Sequence, residues 1–319
     1  MIEPSPLRLA AVQVTAVVER PIWWQSFPGS VIHGVLGHRL KLGSCVVPHR
    51  NCKRCYLVHD CAYGQSFISP VPEDSERMRQ YPQTPHPIQL AVFPWEEQRL
   101  LPGSELTIAL TLYGCMSGSL LKILLALHDA LSGGVGRAER GERGTARMLA
   151  VTDRVTGRRY DWMDLQRSYT PPAEPIVLGS LGNGDQPRDI EIEFKTPVRL
   201  RTGGRMNFEP TLPDLVSNLS RRLANLEYFF GDGDCVINRG EVLDQASEVA
   251  AKIDVAKVPG IRYSARQKTT VAVSGFVGRV RVPACPAELA RVLEQGQYTG
   301  LGKGTTMGLG WIEAVHRTE

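Results

Sequence analysis

The spacing of apolar and polar residues in the first half of the chain predicts four strands and two helices. Apolar positions that alternate along the chain are typical of strands, whereas apolar positions three or four residues apart indicate helices. The predicted elements, in chain order, are a strand over Leu7–Val18, a helix over Val31–Leu42, strands over Ile88–Pro94 and Leu106–Tyr113, a helix over Ser117–Leu131 and a strand over Ala146–Asp153. This is the βαββαβ order of an antiparallel sheet with two helices on one face.

The second half of the chain repeats this order with one additional helix. Its predicted elements are a strand over Ile190–Leu200, helices over Leu212–Phe230 and Glu241–Ile253, a hairpin over Ile261–Val282, a helix over Pro286–Gln295 and a last strand over Trp311–Val315. The intervening span, Tyr160–Arg188, is polar and contains proline and glycine, as expected of a domain boundary. We therefore predict an α+β protein with two tandem ferredoxin-like (βαββαβ, RRM-like) domains, residues 1–185 and 186–319.

Two histidines and a lysine on the first predicted helix are candidates for chemistry. His33 and His38 are five residues apart, so they point in different directions and cannot both serve one site. Lys41 follows His38 by three residues and lies on the same face of the helix. A histidine on an amphipathic helix is more often a half-buried structural residue than a catalyst, and both interpretations stand at this point.

Four cysteines are crowded between the first helix and the second strand. Two of them, in a Cys-Lys-Arg-Cys run, have the spacing that lets two thiolates reach one tetrahedral metal ion, and the other two flank this run. We predict a structural zinc ion bound by Cys45, Cys52, Cys55 and Cys61. The alternatives are an iron–sulfur cluster and reduced cysteines without metal. Residues 43–87, which end in a proline-rich stretch, are predicted to form a long surface insertion.

A glycine-rich segment, Gly300–Gly310, precedes the last predicted strand. Its glycines leave main-chain N–H groups that can converge on a phosphate, with Lys303 beside them. The segment runs into a strand, so it is neither a Walker loop nor a dinucleotide fingerprint. Its alternative interpretation is a flexible connection. The predicted phosphate contacts are Lys303 and the glycines Gly300, Gly302, Gly304, Gly308 and Gly310.

The hairpin predicted over Ile261–Val282 contains five basic residues and no acidic one. A hairpin with charge of one sign is typical of a surface that binds a polyanion. Arg262, Arg266 and Lys268 are therefore candidates for phosphate contacts. The alternative is a solvated basic edge that prevents strand pairing.

These two segments, RYSARQK…GFVG within Arg262–Gly278 and GLGKGTTMGLG in Gly300–Gly310, resemble a known family. They are similar to the C-terminal half of the CRISPR repeat-processing endoribonucleases of the RAMP superfamily, the sixth CRISPR-associated protein family. In that family a glycine-rich loop before the last strand is the superfamily signature, and a cysteine-bearing insertion occurs in a subset of members.

The resemblance implies a site and partners. The stretch GSVIHGVLGHRLK resembles the family's first helix, on which a histidine commonly acts as general acid or base. It implies a catalytic role for His38, with His33 as the alternative and Lys41 beside it, and RNA contacts at the basic hairpin and the glycine-rich loop. The implied partner is CRISPR repeat RNA, together with either an effector complex or a second copy of the chain, and no DNA is required.

The chemistry expected from these parts does not need a catalytic metal. The sequence has no Gly-x-Ser-x-Gly elbow, no suitably spaced carboxylate pair and no His/Asp cluster of a two-metal nuclease. RNA can be cleaved by its own 2′-hydroxyl if histidine moves protons and cations hold the charge on phosphorus. The alternatives are a RAMP subunit that holds RNA without cleaving it and a zinc-stabilised RNA-binding adaptor.

Composition sets the remaining bounds. The chain has 319 residues, 42% hydrophobic and 22% charged, which is ordinary for a soluble globular protein. A net charge of +4 means that local clusters, and not a global field, must hold a polyanion. The sequence has no run of 18 apolar residues and no secretory leader, and its seven cysteines are an odd number. We therefore expect a cytoplasmic protein with reduced thiols and no membrane partner.

Overall fold

A computed structural model describes residues 7–24, 27–47, 51–181, 186–231, 237–264 and 269–315. The chain forms two compact units along its length. One unit is Arg8–Ile176, and the other begins at Val177 and includes Leu7. The predicted candidates Arg266 and Lys268 lie outside the described residues, and the side chain of Arg262 is not described.

The N-terminal unit follows the predicted order and adds short strands around it. Its elements are β1 (Arg8–Arg20), β2 (Ile22–Trp23), α1 (Pro28–Ser44), β3 (Ile88–Phe93), β4 (Arg99–Leu100), β5 (Glu105–Tyr113), α2 (Leu120–Gly133), β6 (Val135–Glu139), β7 (Glu142–Asp153), β8 (Arg159–Asp161), α3 (Trp162–Ser168) and β9 (Ile176–Val177). The insertion between α1 and β3 contains a 3₁₀ turn, Cys52–Arg54, and a π-helical turn, Gly64–Ile68.

The N-terminal sheet has the strand order β3-β5-β1-β7-β6 and is antiparallel. Its central strand β1 pairs with β5 and β7, and the inward residues of all three strands share one core with α1 and α2. Helix α1 buries Ile32, Leu36 and Leu40 in that core, which fixes the direction of its other faces. The helix begins earlier than predicted, at Pro28 and not after Ser30, because proline is favoured in a first helical turn.

One segment of this unit, Gly114–Gly133, has the length and apolar composition of a membrane span. Half of that window is buried, however, and Leu120, Leu124 and Leu127 lie in the core shared with the sheet. A helix that buries its apolar face against a sheet is the core helix of a soluble domain.

The C-terminal unit repeats the arrangement with an extra helix and two small ribbons. Its elements are β10 (Arg188–Val198), β11 (Leu200–Thr202), β12 (Arg205–Asn207), α4 (Leu212–Phe230), α5 (Arg239–Glu248), β13 (Lys252–Val258), β14 (Ile261–Ser264), β15 (Thr269–Ala272), β16 (Gly275–Cys285), α6 (Ala287–Thr299) and β17 (Ile312–Val315). The sheet order is β13-β16-β10-β17, while β11–β12 and β14–β15 form separate ribbons.

Both units therefore have the same topology. If the four main strands of each unit are numbered along the chain, both sheets read 2-3-1-4, the order of a ferredoxin-like domain. The predicted fold class, tandem ferredoxin-like domains with a cysteine-bearing insertion in the first, is confirmed.

Two details of the second half differ from the prediction. The helix predicted over Glu241–Ile253 ends at Glu248, and an edge strand, β13, follows it. The predicted hairpin Ile261–Val282 is not one hairpin, because β16 pairs with β13 and β10 while β14 and β15 pair with each other.

Candidate RNA-binding and catalytic surfaces

The glycine-rich loop lies against the connection that follows β10. The amides of Leu301, Gly302 and Lys303 donate to Gly310 O, Asn218 Oδ1 and Arg199 O at 2.9, 2.8 and 2.9 Å. A Cβ on Gly310 would come within 1.8 Å of the Leu301 carbonyl oxygen, so close backbone approach requires glycine there.

This packing affects the main-chain amides that were predicted to bind phosphate. The amides of Gly300, Gly302 and Gly310 donate to Gly296 O, Asn218 Oδ1 and Pro197 O, so in this conformation they are not available to a phosphate. Side chains around the loop are therefore better candidates for phosphate contact than these three amides. RNA contact at the individual glycines stays a prediction.

The exposed side chain of Lys303 lies in a cluster of cations. Partial burial, followed by the charges of Arg201, Arg199 and Arg221, lowers the pKa of its ammonium group. Arg201 and Arg221 are exposed, and Arg199 is half-buried. We call Lys303, Arg199, Arg201 and Arg221 the loop cation cluster.

Arg199 connects this cluster to the β14–β15 ribbon. Its Nη2 donates to Ala272 O on β15 at 3.3 Å, while its own carbonyl accepts from the Lys303 amide. The ribbon that carries Arg262 is therefore continuous with the glycine-rich loop. Sequence reasoning missed all three arginines; Arg199 and Arg201 stand with Arg205 in a short basic run around Gly203 and Gly204, but Arg221 lies outside it.

The two basic residues of β16 do not belong to such a surface. Arg281 Nε and Arg279 Nη1 contact the Glu191 carboxylate of β10 at 3.0 and 3.4 Å. Cross-strand pairing brings these residues together, since Glu191 lies opposite Arg281 and Glu193 lies opposite Arg279. The expectation that Ile261–Val282 carries charge of one sign is thus wrong for β16, because an acidic strand neutralises it.

Helix α1 places His38 on a different face from His33 and Lys41, the other two residues predicted to take part in catalysis. His38 is exposed, whereas His33 is half-buried with its ring centroid 4.7 Å from that of Phe67 in the insertion. Lys41 Nζ lies 5.5 Å from the centre of the Tyr63 ring. The two histidines point in different directions, as the spacing predicts, and Lys41 faces the insertion.

The four cysteines of the insertion line one small cavity of about 30 Å³, together with Lys41 and Tyr63. Burial, and then the nearby Cys52, raises the pKa of the Tyr63 hydroxyl. Within the described residues, no three His, Cys, Asp or Glu side chains lie in an arrangement that could hold a metal ion. The insertion thus brings the predicted ligands to one place without the geometry of a formed metal site.

Comparisons with known proteins agree with this architecture. A family model described as CRISPR-associated endoribonuclease Cas6 matches residues 192–312, and one described as an N-terminal domain matches residues 7–168. No curated protein matches the chain by sequence.

Solved structures show the same fold at low identity. Thermus thermophilus Cas6 is 14% identical with a TM-score of 0.53, covering 97% of this chain and 99% of that chain. A Cas6 product complex is 19% identical with a TM-score of 0.54, covering 97% and 100%. A partial Cas6-RT-Cas1–Cas2 complex is 14% identical with a TM-score of 0.59, covering 99% of this chain and 47% of that chain.

Two ferredoxin-like units, with a glycine-rich loop before the last strand, are the features that the resemblance to the RAMP superfamily implies. The family match over the C-terminal unit makes the assignment specific. Residues 192–312 of the chain form a Cas6 domain, as found in the CRISPR-associated endoribonucleases of that family.

Proposed function

We propose that this protein is a metal-independent endoribonuclease that cleaves CRISPR precursor RNA within each repeat. The observation that carries the proposal is the loop cation cluster, which lies in the region matched by the Cas6 family model. Several cations around one tight loop can neutralise successive RNA phosphates, and such contacts supply most of the affinity for a nucleic acid backbone.

The proposed reaction is an internal transesterification. The 2′-oxygen of one nucleotide forms a bond to the adjacent phosphorus, and the bond from phosphorus to the 5′-oxygen of the next nucleotide breaks. A general base takes the 2′-hydroxyl proton and a general acid gives a proton to the leaving 5′-oxygen. The products are a 2′,3′-cyclic phosphate and a 5′-hydroxyl, and cations stabilise the charge that develops on the phosphorane.

We propose His38 as the general acid or base. It is exposed on α1, where an RNA backbone can reach it, whereas His33 lies against Phe67 and is the alternative. Lys41 is proposed to stabilise charge near the scissile phosphate, and Lys303 is proposed to bind RNA phosphate. Lys303 is exposed, and its lowered pKa reflects cationic neighbours that also attract phosphate.

A labelled repeat RNA tests the reaction directly. Purified protein should cleave this RNA at one position and leave a 2′,3′-cyclic phosphate end. Cleavage should persist during a brief exposure to EDTA, while circular dichroism verifies that the protein stays folded. A matched RNA with a single 2′-deoxy substitution upstream of the cut should bind equally and stay intact, because the nucleophile is gone. Binding of both RNAs without cleavage would instead identify a non-catalytic RAMP-type subunit, and a requirement for added Mg²⁺ would contradict the mechanism.

We further propose that the cysteine cavity holds a structural zinc ion. Thiolates of Cys45, Cys52, Cys55 and Cys61 fit the ligand chemistry of zinc, and all four line the same cavity. The ion would draw the four sulfurs together and hold down an insertion with few apolar clusters.

Repeat RNA is the proposed partner in the cytoplasm, with either a CRISPR effector complex or a second copy of the chain in addition. Support for assembly comes from the Cas6-RT-Cas1–Cas2 complex, in which a chain of similar fold is part of a larger assembly.

A further inference from the structure

Two aromatic residues of the insertion lie along one stripe of α1. The Phe67 ring is 4.7 Å from His33, and the Tyr63 ring lies under Lys41 at 5.5 Å. The two rings stack on each other at 5.4 Å with planes only 6° apart. His33, Gly37 and Lys41 are spaced by four residues, so they form a single stripe on the helix, and the aromatic pair covers that stripe.

Gly37, at the centre of the stripe, is in direct contact with Phe67. A Cβ at this position would lie 2.7 Å from Phe67 Cε1, closer than a Cβ approaches another side chain in real structures. Gly43 on the same helix differs, because a Cβ there would meet nothing within 4 Å. A glycine inside a helix lowers its stability relative to alanine, and of these two glycines Gly37 has a packing reason for this cost.

The segment that presents Phe67 is anchored at both ends. At its start, a Cβ on Gly64 would lie 2.1 Å from the Val58 carbonyl oxygen, so the turn packs tightly on the residues before it. At its end, Ser69 has φ of 42°, and its carbonyl accepts from the Thr84 amide at 2.9 Å. Ser69 Oγ also lies 2.7 Å from His86 Nδ1. The backbone around Phe67 is therefore fixed to the rest of the insertion.

We infer that Phe67 is a positioning residue for RNA cleavage: it locks against Gly37 and holds α1 so that His38, on another face of the helix, stays at the scissile phosphate. The inference rests on the proposed function of His38. Phe67 contacts α1 and not the reacting atoms, and a displacement of about 1 Å at a catalytic group can cost about 100-fold in rate. The insertion thereby becomes part of the catalytic apparatus of this chain.

Phe67→Ala should lower the single-turnover cleavage rate constant about 10- to 100-fold while repeat RNA affinity stays within about twofold. The rate constant should fall by the same factor at every pH, because Phe67 does not contact His38. The final fraction of RNA cleaved should be unchanged. Loss of folded protein would instead lower that fraction without changing the rate constant. Phe67→Tyr keeps the ring and should restore the rate. Tyr56→Ala, which removes a 79% exposed aromatic residue from the same insertion, is the matched control and should behave as wild type.

A double-mutant cycle tests the contact itself. Gly37→Ala should slow cleavage in the wild-type background, because the new methyl group pushes the Phe67 ring away. In the Phe67→Ala background the same change should cause no further loss and should raise the melting temperature, since alanine is the better helix former. Gly43→Ala should leave the rate unchanged in both backgrounds. Additive effects of Gly37→Ala and Phe67→Ala, or a wild-type rate for Phe67→Ala, would overturn the inference.

A readout without RNA separates this inference from the proposed function. Amide hydrogen exchange in α1 should be faster in Phe67→Ala and in Gly37→Ala than in wild type, Tyr56→Ala or Gly43→Ala. If the wild type fails to cleave repeat RNA while these exchange differences are present, the proposed function fails and the lock on α1 stands. Unchanged exchange in Phe67→Ala would refute the lock whether or not RNA is cleaved.

Discussion

Lys303 illustrates how a residue proposed to bind RNA can reduce the stability of the free protein. Burial and three arginines lower its pKa, so the folded state disfavours its charge relative to the unfolded state. At a pH below the lowered value both states are charged and the full penalty is present. The penalty is relieved as the pH rises from the lowered pKa towards the ordinary lysine value, because there the unfolded state binds more protons. Bound phosphate should relieve it at neutral pH.

Lys303→Met should therefore raise the melting temperature slightly at pH 7 while weakening repeat RNA binding. Because one phosphate contact is lost, the slope of log affinity against log salt should decrease by about 0.7. Fluorescence anisotropy at several salt concentrations and a thermal melt measure the two effects. Lys252→Met, an exposed lysine of β13, is the control and should change neither. If the Lys303→Met protein has wild-type affinity and salt slope, Lys303 does not contact RNA phosphate.

His38→Ala should slow single-turnover cleavage by about 10²- to 10⁴-fold with little change in RNA affinity. A positioned acid or base contributes this range, and removing it affects the transition state and not RNA binding. Quench assays with saturating protein measure the rate constant. His33→Ala is the companion variant, and a larger loss there would transfer the catalytic role to His33. Wild-type cleavage rates in both variants would show that neither histidine of α1 takes part in catalysis.

The sequence indicates single candidate residues better than the residues that surround them in the fold. Lys303 stands out because it is the one lysine in a run of glycines. Arg201 and Arg221 belong to a short ribbon and to α4, and nothing in their spacing indicates that tertiary packing brings them to Lys303. Phe67 could not be predicted either, since its role depends on a missing Cβ on another element.

At the scale of elements, helices with strong end signals are the most predictable. Helix α4 begins as predicted at Leu212, because Thr211 and Asp214 form a capping box, and it ends as predicted at Phe230, before Gly231. Strand β13 was mistaken for the end of a helix. It is an edge strand with exposed Lys252 and Asp254, so its pattern lacks the apolar face that identifies a central strand. Its pairing with β16 decides its structure, and that pairing is non-local.

The basic residues between β14 and β15 in the sequence and those of strand β16 should differ in their contribution to RNA binding. A double change, Arg266→Gln with Lys268→Gln, should weaken binding to all RNAs alike and decrease the salt slope by about 1.4, since two contacts are removed. Arg279→Gln removes a cation that already contacts Glu191 and should leave the slope unchanged. Equal effects of the two variants would mean that general charge, and not the ribbon, governs affinity.

The cysteine insertion should contain about one zinc ion per chain when the protein is purified without added metal. Four thiolates around one cavity can bind zinc with enough energy to fold a segment that has few apolar contacts. Elemental analysis measures the content, and Cys52→Ser should reduce it and increase alkylation of the other three thiols. Cys285 provides an internal reference, because burial raises the pKa of its thiol to about 12 and should keep it unreactive. A metal-free wild type whose four thiols titrate freely would contradict the zinc site.

At the scale of the whole molecule, the residues proposed for the two tasks belong to different units. The N-terminal unit contains His38 on α1, and the C-terminal unit contains the loop cation cluster and the β14–β15 ribbon. The sequence predicts this duplication from element order alone, because each half repeats βαββαβ without close sequence similarity. A net charge of only +4 also means that RNA affinity must be local to such clusters.

The two predicted domains should therefore be separable by activity. Residues 186–319, produced alone and shown to be folded by circular dichroism, should bind repeat RNA with a salt slope within about one of the full chain, because the proposed phosphate contacts are retained. This fragment should not cleave RNA at any concentration, since α1 is absent. Residues 1–185 should bind at least tenfold more weakly than the C-terminal fragment. The full-length Lys303→Met variant shows how much RNA affinity and salt slope decrease when one phosphate contact is lost. A folded C-terminal fragment that does not bind repeat RNA would show that the loop cation cluster is insufficient, and that α1 or another N-terminal surface supplies the affinity.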